Sequence, residues 1–148
     1  MHNGHPQHGG RFTWLAMAAA GALLAACAQQ QSAAPSSARL YAVDQAGAAK
    51  SCNAPTPSLT AGQSTDVAVK VGNDGGWCGI TVARPGHTPF SAGLLTSPPA
   101  HGKVLIHTVG DDTRIDYTPT RGFTGSDAFA VTLIPGDPVV RANVTVTP

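Results

Sequence analysis

Short segments in which apolar residues occupy every second position recur from Thr65 to the end of this chain. A period of two places alternate side chains on opposite faces of a β-strand. The alternation is clearest in Thr65–Val71, Asp127–Ile134 and Val139–Thr147. Glycine, proline, asparagine and aspartate cluster between these segments, and such residues favour turns. The sequence therefore predicts an all-β fold.

Further strand segments complete the pattern: Arg39–Asp44, Trp77–Ala83, Lys103–Val109 and Arg114–Thr118. The tetrapeptide Asn73-Asp74-Gly75-Gly76 is a strong turn signal and predicts a hairpin between the two strands that flank it. The total is about seven short strands, which is the number expected of a two-sheet β-sandwich.

Composition agrees with this fold class. All eight acidic residues are aspartate, and the chain contains no glutamate, which is among the residues that favour helices. Lysine and arginine are balanced by aspartate once the leader described next is removed, and they form no basic stripe. We therefore expect no nucleic-acid partner.

The first residues resemble an export signal. Met1–Arg11 is polar with one fixed positive charge, and Phe12–Ala26 is uncharged and made of apolar or small residues. This apolar run has the length of a signal-peptide core and is shorter than a membrane-spanning helix. His2, His5 and His8 would be removed with the leader, so they are not candidate metal ligands.

The leader ends in Leu24-Ala25-Ala26-Cys27, which resembles the lipobox of bacterial lipoproteins. The resemblance implies cleavage before Cys27 and attachment of fatty acyl chains to that residue. Two or more chains give stable membrane anchoring. Ala28 follows the cysteine, and in this family that position favours the outer membrane. The alternative is ordinary secretion, with cleavage after Ala20-Gly21-Ala22 or Ala25-Ala26.

Three regions follow from these features: a signal peptide (1–26), a lipidated cysteine with a flexible linker (27–38) and a β-sandwich domain (39–148). The linker contains no charged or large apolar residue before Ser37 and cannot form a core. The predicted location is the bacterial cell envelope, anchored by lipid at the outer membrane and facing the periplasm.

Three motifs in the C-terminal half resemble bacterial immunoglobulin-like and cadherin-like repeats. They are Pro98-Pro99-Ala100-His101-Gly102-Lys103-Val104, Asp116-Tyr117-Thr118-Pro119 and Gly122-Phe123-Thr124-Gly125-Ser126-Asp127-Ala128-Phe129. The resemblance covers about 94–148 and implies an immunoglobulin-like sandwich in envelope or adhesion proteins. Such repeats often bind calcium between copies, but this chain has one copy and no acidic D-x-[DN] loop.

Each motif residue has an expected structural role. Gly102 should allow the chain to bend into the next strand, and Tyr117 and Phe123 should fill the space between the sheets. Gly122 and Gly125 suit backbone angles that other residues avoid. We expect the Asp127 carboxylate to accept hydrogen bonds from turn amides.

Two cysteines remain after Cys27, namely Cys52 and Cys78. An even pair in an exported domain most simply forms a disulfide. We expect it to tie the weakly patterned stretch around Cys52 to the strand near Cys78. A redox or metal pair is the alternative, but the two are far apart in sequence and form no C-x-x-C motif.

The sequence offers little support for an enzyme, since it has no G-x-S-x-G elbow and no glutamate. No cofactor is expected. His101 and His107 are six residues apart and would share one face of an extended strand, so copper or zinc binding is an alternative.

Two kinds of function therefore stay open. The first is a non-catalytic, structural or protein-binding module of the cell envelope, with Arg84, His87 and Phe90 as its candidate binding residues. They belong to the loop Arg84–Phe90, which combines a positive charge, an aromatic ring and two stiffening prolines. The second is a small periplasmic inhibitor or copper- or zinc-binding lipoprotein.

Overall fold

Eight strands in two sheets make up most of the computed structural model, which describes Arg39 and residues 41–148. The strands, in chain order, are β1 (Cys52–Asn53), β2 (Ser64–Gly72), β3 (Cys78–Val82), β4 (Ala92–Ser97), β5 (Gly102–Val109), β6 (Asp112–Pro119), β7 (Gly125–Ile134) and β8 (Val139–Thr147). One short 3-10 helix, Ala42–Gln45, precedes them. The prediction of an all-β, two-sheet protein is confirmed.

The five-stranded sheet has the order β1-β2-β8-β7-β4, and the three-stranded sheet has the order β3-β6-β5. Strands β2 and β8 pair in parallel over nine residues, from Ser64 opposite Val139 to Gly72 opposite Thr147. All other strand pairs are antiparallel. Because β4 and β5 each have one paired neighbour, they form free edges of their two sheets.

The alternating residues build the core, as predicted. Val67, Val69 and Val71 of β2 are at most 2% exposed. The same burial extends to one face of β7 and of β8: Phe129, Val131, Leu133, Val140, Ala142, Val144 and Val146. Ile80 and Ile115 of the three-stranded sheet pack against this layer. The period of two thus identified one buried face on each of these strands.

Two local predictions were wrong, and two strands were missed. Arg39–Asp44 is not a strand: Tyr41 and Val43 are exposed, and the Asp44 carboxylate accepts a hydrogen bond from the Tyr41 amide at 2.9 Å at the start of the 3-10 helix. Asn73–Gly76 does not close a hairpin, because β2 and β3 belong to different sheets. Strands β1 and β4 were not predicted at all.

Gly102 is needed for a different reason from the one expected. A side chain added there would lie 2.3 Å from the Tyr117 ring, so the glycine allows that ring to pack closely on the strand. Gly122 and Gly125 have positive φ angles of +78° and +125°, as predicted. Tyr117 is buried between the sheets, and the half-buried Phe123 packs at the edge of the core.

Candidate functional site

The predicted disulfide between Cys52 and Cys78 is present, with Cα atoms 5.3 Å apart. It links β1, at one edge of the five-stranded sheet, to the first residue of β3 in the other sheet. Cys78 is fully buried and Cys52 is exposed. The bridge therefore connects the two sheets directly and fixes the poorly patterned segment before β2.

The loop Arg84–Phe90 is tied back on itself. The Arg84 amide donates to the Thr88 carbonyl at 2.9 Å, and the Arg84 Nε donates to the Pro89 carbonyl at 3.2 Å. Gly86 and His87 both have positive φ angles, +75° and +53°, which this tight turn requires. The loop therefore holds the Arg84 guanidinium in a defined position.

The three predicted binding residues have different surroundings. Arg84 and His87 are partly exposed, and His87 Nδ1 lies 3.0 Å from Asp112 Oδ1. Phe90 is only 7% exposed and belongs to the core, and its amide donates to Thr113 Oγ1 at 2.9 Å. Phe90 also forms one wall of a small pocket beside Arg84.

That pocket has a volume of about 200 Å³ and lies where three connections meet at one end of the protein. Leu59 and Ala61 come from the β1–β2 connection, and Pro135 and Pro138 come from the β7–β8 turn. The β3–β4 loop contributes Arg84 and Phe90. The residue pattern identifies the loop but not the pocket, because the other two walls are distant in sequence.

The free edge formed by β4 was also missed. Five of its six residues are exposed, including Leu94 at 52% and Leu95 at 40%. Leu105 on the neighbouring edge strand β5 is 58% exposed. The segment Ala92–Ser97 carries no charge, and a long uncharged stretch with two leucines is the signal that could have identified it.

A buried charged cluster occupies the outer face of the three-stranded sheet. Arg114 and Asp116 are 7% and 4% exposed, and the guanidinium donates to both carboxylate oxygens at 2.7 and 3.0 Å. His107 Nε2 lies 2.8 Å from Asp116 Oδ2. Trp77 covers the cluster, with its ring centroid 3.7 Å from the Arg114 guanidinium carbon. This arrangement satisfies every charge internally and leaves little open for a ligand.

Residues that precede β1 also cover the buried charged cluster. Arg114 Nη1 donates to the Asp44 carbonyl, and Trp77 Nε1 donates to the Ala46 carbonyl at 3.0 Å. Arg39 forms an ion pair of 2.9 Å with Asp111 in the β5–β6 turn. Hydrogen bonds to Arg39 are the largest effect on the pKa of Asp111, which lies below its ordinary value. The chain therefore crosses this sheet before it reaches the disulfide.

Asp127 organises the opposite end of the molecule. Its carboxylate accepts hydrogen bonds of 2.9 Å from the amides of Ala100, His101 and Ala128, and one of 2.8 Å from the Tyr117 hydroxyl. Burial alone would raise the pKa of Asp127, but these four donors outweigh it and hold the pKa below its ordinary value. The predicted role of Asp127 in bonding turn amides is confirmed.

The two histidines proposed as metal ligands do not meet. His101 precedes β5 and stacks on Phe123 with ring centroids 4.1 Å apart, whereas His107 lies near the other end of the strand. Six residues of extended strand separate them by about 20 Å, so they cannot share one ion. No group of three His, Cys, Asp or Glu side chains among Arg39 and residues 41–148 is arranged to hold a metal.

The predictions for residues 1–38, including lipidation of Cys27, the signal peptide and the linker, lie outside the described residues. Within the described part, no helix is both long and apolar enough to span a membrane. The fold and these surfaces define a disulfide-linked, two-sheet β protein. No protein-family model matches the chain, and no curated protein is similar to it in sequence.

Proposed function

We propose that this protein is a non-catalytic, lipid-anchored module of the bacterial cell envelope that binds another protein along the β4 edge. The observation that carries the binding role is the exposed, uncharged edge at Ala92–Leu95. Natural proteins usually protect free edge strands with charges, prolines or bulges. The bulge and the prolines of this edge begin only after Leu95, so Ala92–Leu95 still offers backbone hydrogen bonds and side-chain contacts to a strand of a partner.

The part of the β4 edge that could pair with a partner strand is short. A register shift between Leu95 and Ser97 interrupts the pairing with β7, and Pro98 and Pro99 follow directly. A partner strand would therefore pair with Ala92–Leu95 and contact the exposed side chains of Leu94 and Leu95.

The immunoglobulin-like character is part of the proposal. The sheet β3-β6-β5 and the neighbours β8-β7-β4 reproduce the B-E-D and G-F-C orders of that fold when β3 is taken as strand B. Strand β2 would then take the place of strand A, paired in parallel with β8, and β1 would be an additional strand. The strand order supports the resemblance that the sequence motifs suggest.

The proposed location rests on the sequence. The lipobox-like Leu24-Ala25-Ala26-Cys27 and the uncharged linker place the domain at a membrane surface, and Ala28 favours the outer membrane with the domain facing the periplasm. Because the lipid at Cys27 would attach the protein to the membrane, the domain itself need not bind lipid. Its free sheet edge would then remain accessible to another envelope protein.

The test is photo-crosslinking in the cells that make the protein. A photoreactive residue in place of Leu94 should form a discrete adduct with another envelope protein, whereas one in place of Asn143, exposed on β8, should not. The adduct should disappear when Leu95→Lys places a charge at the edge, while circular dichroism stays unchanged. Equal labelling from both positions, or an adduct that survives Leu95→Lys, would refute edge pairing.

A further inference from the structure

The apolar pocket beside Arg84 lies at the end of the protein where the β1–β2, β3–β4 and β7–β8 connections meet. Apart from Arg84, every residue that lines it is apolar. Its volume of about 200 Å³ is smaller than the roughly 300–1,000 Å³ of sites for small organic ligands. A single aliphatic side chain is the ligand group that suits this size.

The walls of this pocket are held in place by the fold. The Gly62 amide donates to the Gly136 carbonyl at 2.8 Å, and the Val139 amide donates to the Gln63 carbonyl at 2.8 Å. These bonds fasten the β1–β2 connection to the β7–β8 turn. Pro135 and Pro138 add stiffness on that side. A preformed pocket loses little conformational entropy when it is filled.

Arg84 gives the pocket one charged wall. Its Nε is used by the Pro89 carbonyl, which orients the guanidinium, and none of the described aspartates forms an ion pair with it. His87 in the same loop lies against Asp112 instead. Asp137 in the β7–β8 turn is exposed and does not line the pocket. An oriented, unpaired guanidinium beside an apolar cavity is complementary to a carboxylate next to an aliphatic group.

We infer that this pocket binds an aliphatic side chain of a partner polypeptide that carries a carboxylate on the adjacent residue. The aliphatic group fills the space between Ala61 and Phe90, and the carboxylate accepts hydrogen bonds from the Arg84 guanidinium. This inference rests on the proposed protein-binding function and adds the chemistry of the partner. The pocket is close in sequence to the β4 edge, since Phe90 precedes that strand by two residues.

The test uses three short peptides and the full chain as purified from cells. The peptides are acetyl-Gly-Leu-Asp-Gly-amide, the same peptide with Asn in place of Asp, and the same peptide with Ala in place of Leu. Carbon-13 labelling of alanine methyl groups reports binding at Ala61 and Ala83, with Ala130 on β7 as an internal reference. The Leu-Asp peptide should shift the first two signals and leave the third in place.

Loss of the carboxylate or of its partner should weaken binding roughly tenfold, as expected for a charged hydrogen bond. The Leu-Asn peptide and the Arg84→Gln protein should both show this loss. The peptide with Ala in place of Leu should not bind, and Ala61→Leu, which fills the exposed mouth of the pocket, should abolish binding of the other two peptides. Arg121→Gln is the matched control, since it removes an exposed arginine between β6 and β7.

Equal affinity for the Leu-Asp and Leu-Asn peptides would overturn the inference, as would an Ala61 signal that does not move up to the solubility limit of the peptide. Neither result bears on the β4 edge, whose crosslinking test uses different residues. If the Leu94 adduct persists while the peptides fail to bind, the protein-binding function stands and the pocket is not its recognition site.

Discussion

The Tyr117 hydroxyl donates a hydrogen bond of 2.8 Å to Asp127 Oδ2 and thereby joins the two sheets, because Tyr117 lies in β6 and Asp127 in β7. Its ring stacks on Phe129 with centroids 5.8 Å apart. The motif residues around it thus help to maintain the fold. This partly buried hydrogen bond at the edge of the core also fixes how the sheets are placed against each other.

Tyr117→Phe should lower the free energy of unfolding by about 1.5–3 kcal/mol, the value of a hydrogen bond to a charged group. The aromatic ring stays, so the loss reports the hydroxyl alone. Urea unfolding followed by circular dichroism measures it. Tyr41→Phe is the control, since Tyr41 is 58% exposed and should change stability by less than about 0.5 kcal/mol. Similar losses in both variants would contradict the role of the buried hydroxyl.

The stability should also depend on pH through Asp127. Its pKa in the folded state lies below the ordinary 3.8, so the stabilisation is fully present above that pH and is lost as the pH falls through the folded-state pKa. The unfolding free energy of the wild type should therefore fall between about pH 5 and pH 2. Asp127→Asn should be less stable at neutral pH and should show a shallower acid loss. Asp66→Asn, at an exposed position on β2, should retain the wild-type profile.

Tyr117 should make the stability depend on pH at the alkaline end. Burial, followed by the hydrogen bond to Asp127, raises the pKa of Tyr117 far above its ordinary 10.0. The folded protein then keeps the hydroxyl protonated while the unfolded chain ionises, so stability falls as the pH rises above about 10. Tyr117→Phe should flatten this alkaline loss in the same urea titrations. An unchanged alkaline slope would contradict this role of Tyr117.

The disulfide should contribute about 3.5 kcal/mol, because its ends are 26 residues apart and closing such a loop restricts the unfolded chain. The double variant Cys52→Ala/Cys78→Ala should unfold at correspondingly lower urea concentration. Removing both sulfurs avoids a free thiol. A double variant within about 0.5 kcal/mol of the wild type would mean that hydrogen bonds between β1 and β2 suffice to hold this segment.

Arg114→Leu should be severely destabilising, by about 3–5 kcal/mol, since it leaves the Asp116 carboxylate buried without its guanidinium. The double variant Arg114→Leu/Asp116→Leu should be more stable than this single variant, because no unpaired charge remains. Arg141→Leu on the exposed face of β8 controls for the loss of an arginine. A double variant less stable than the single one would contradict this account of the cluster.

Strands with strict alternation could be predicted because one of their faces is buried. Val67, Val69 and Val71 illustrate this, since each lies against the core while the residues between them face solvent. Strand β4 could not be found in this way, because it is an edge strand in which Leu94 and Leu95 are both exposed. An alternating pattern arises where one face of a strand is buried, and neither leucine of this edge strand is buried.

The contacts of Asn73 explain why the predicted hairpin does not form. Its side-chain nitrogen donates to the carbonyls of Thr120 and Phe123, both at 2.8 Å, so it fastens the β2–β3 connection to the β6–β7 loop. Turn-forming residues predict that the chain reverses direction, but they do not show whether the next strand joins the same sheet. Likewise, alternation assigns Arg114 and Asp116 to the outer face, but their burial depends on a distant segment around Asp44.

The candidate site was predictable only in part. The loop Arg84–Phe90 stood out by its charge, aromatic residue and prolines, but Phe90 proved to be a core residue. The separation of His101 and His107 follows from strand geometry, because six residues of strand extend over about 20 Å. The pocket beside Arg84 depends on three connections that come together only in the folded chain.

The proposed attachment of the domain to the cell envelope depends on lipidation of Cys27. Intact-mass analysis of the exported protein, with a Cys27→Ser variant as control, tests it most directly. We expect a chain that begins at Cys27 and carries two or three fatty acyl chains, and we expect Cys27→Ser to lose them. An exported chain whose first residue carries no lipid would contradict the claim.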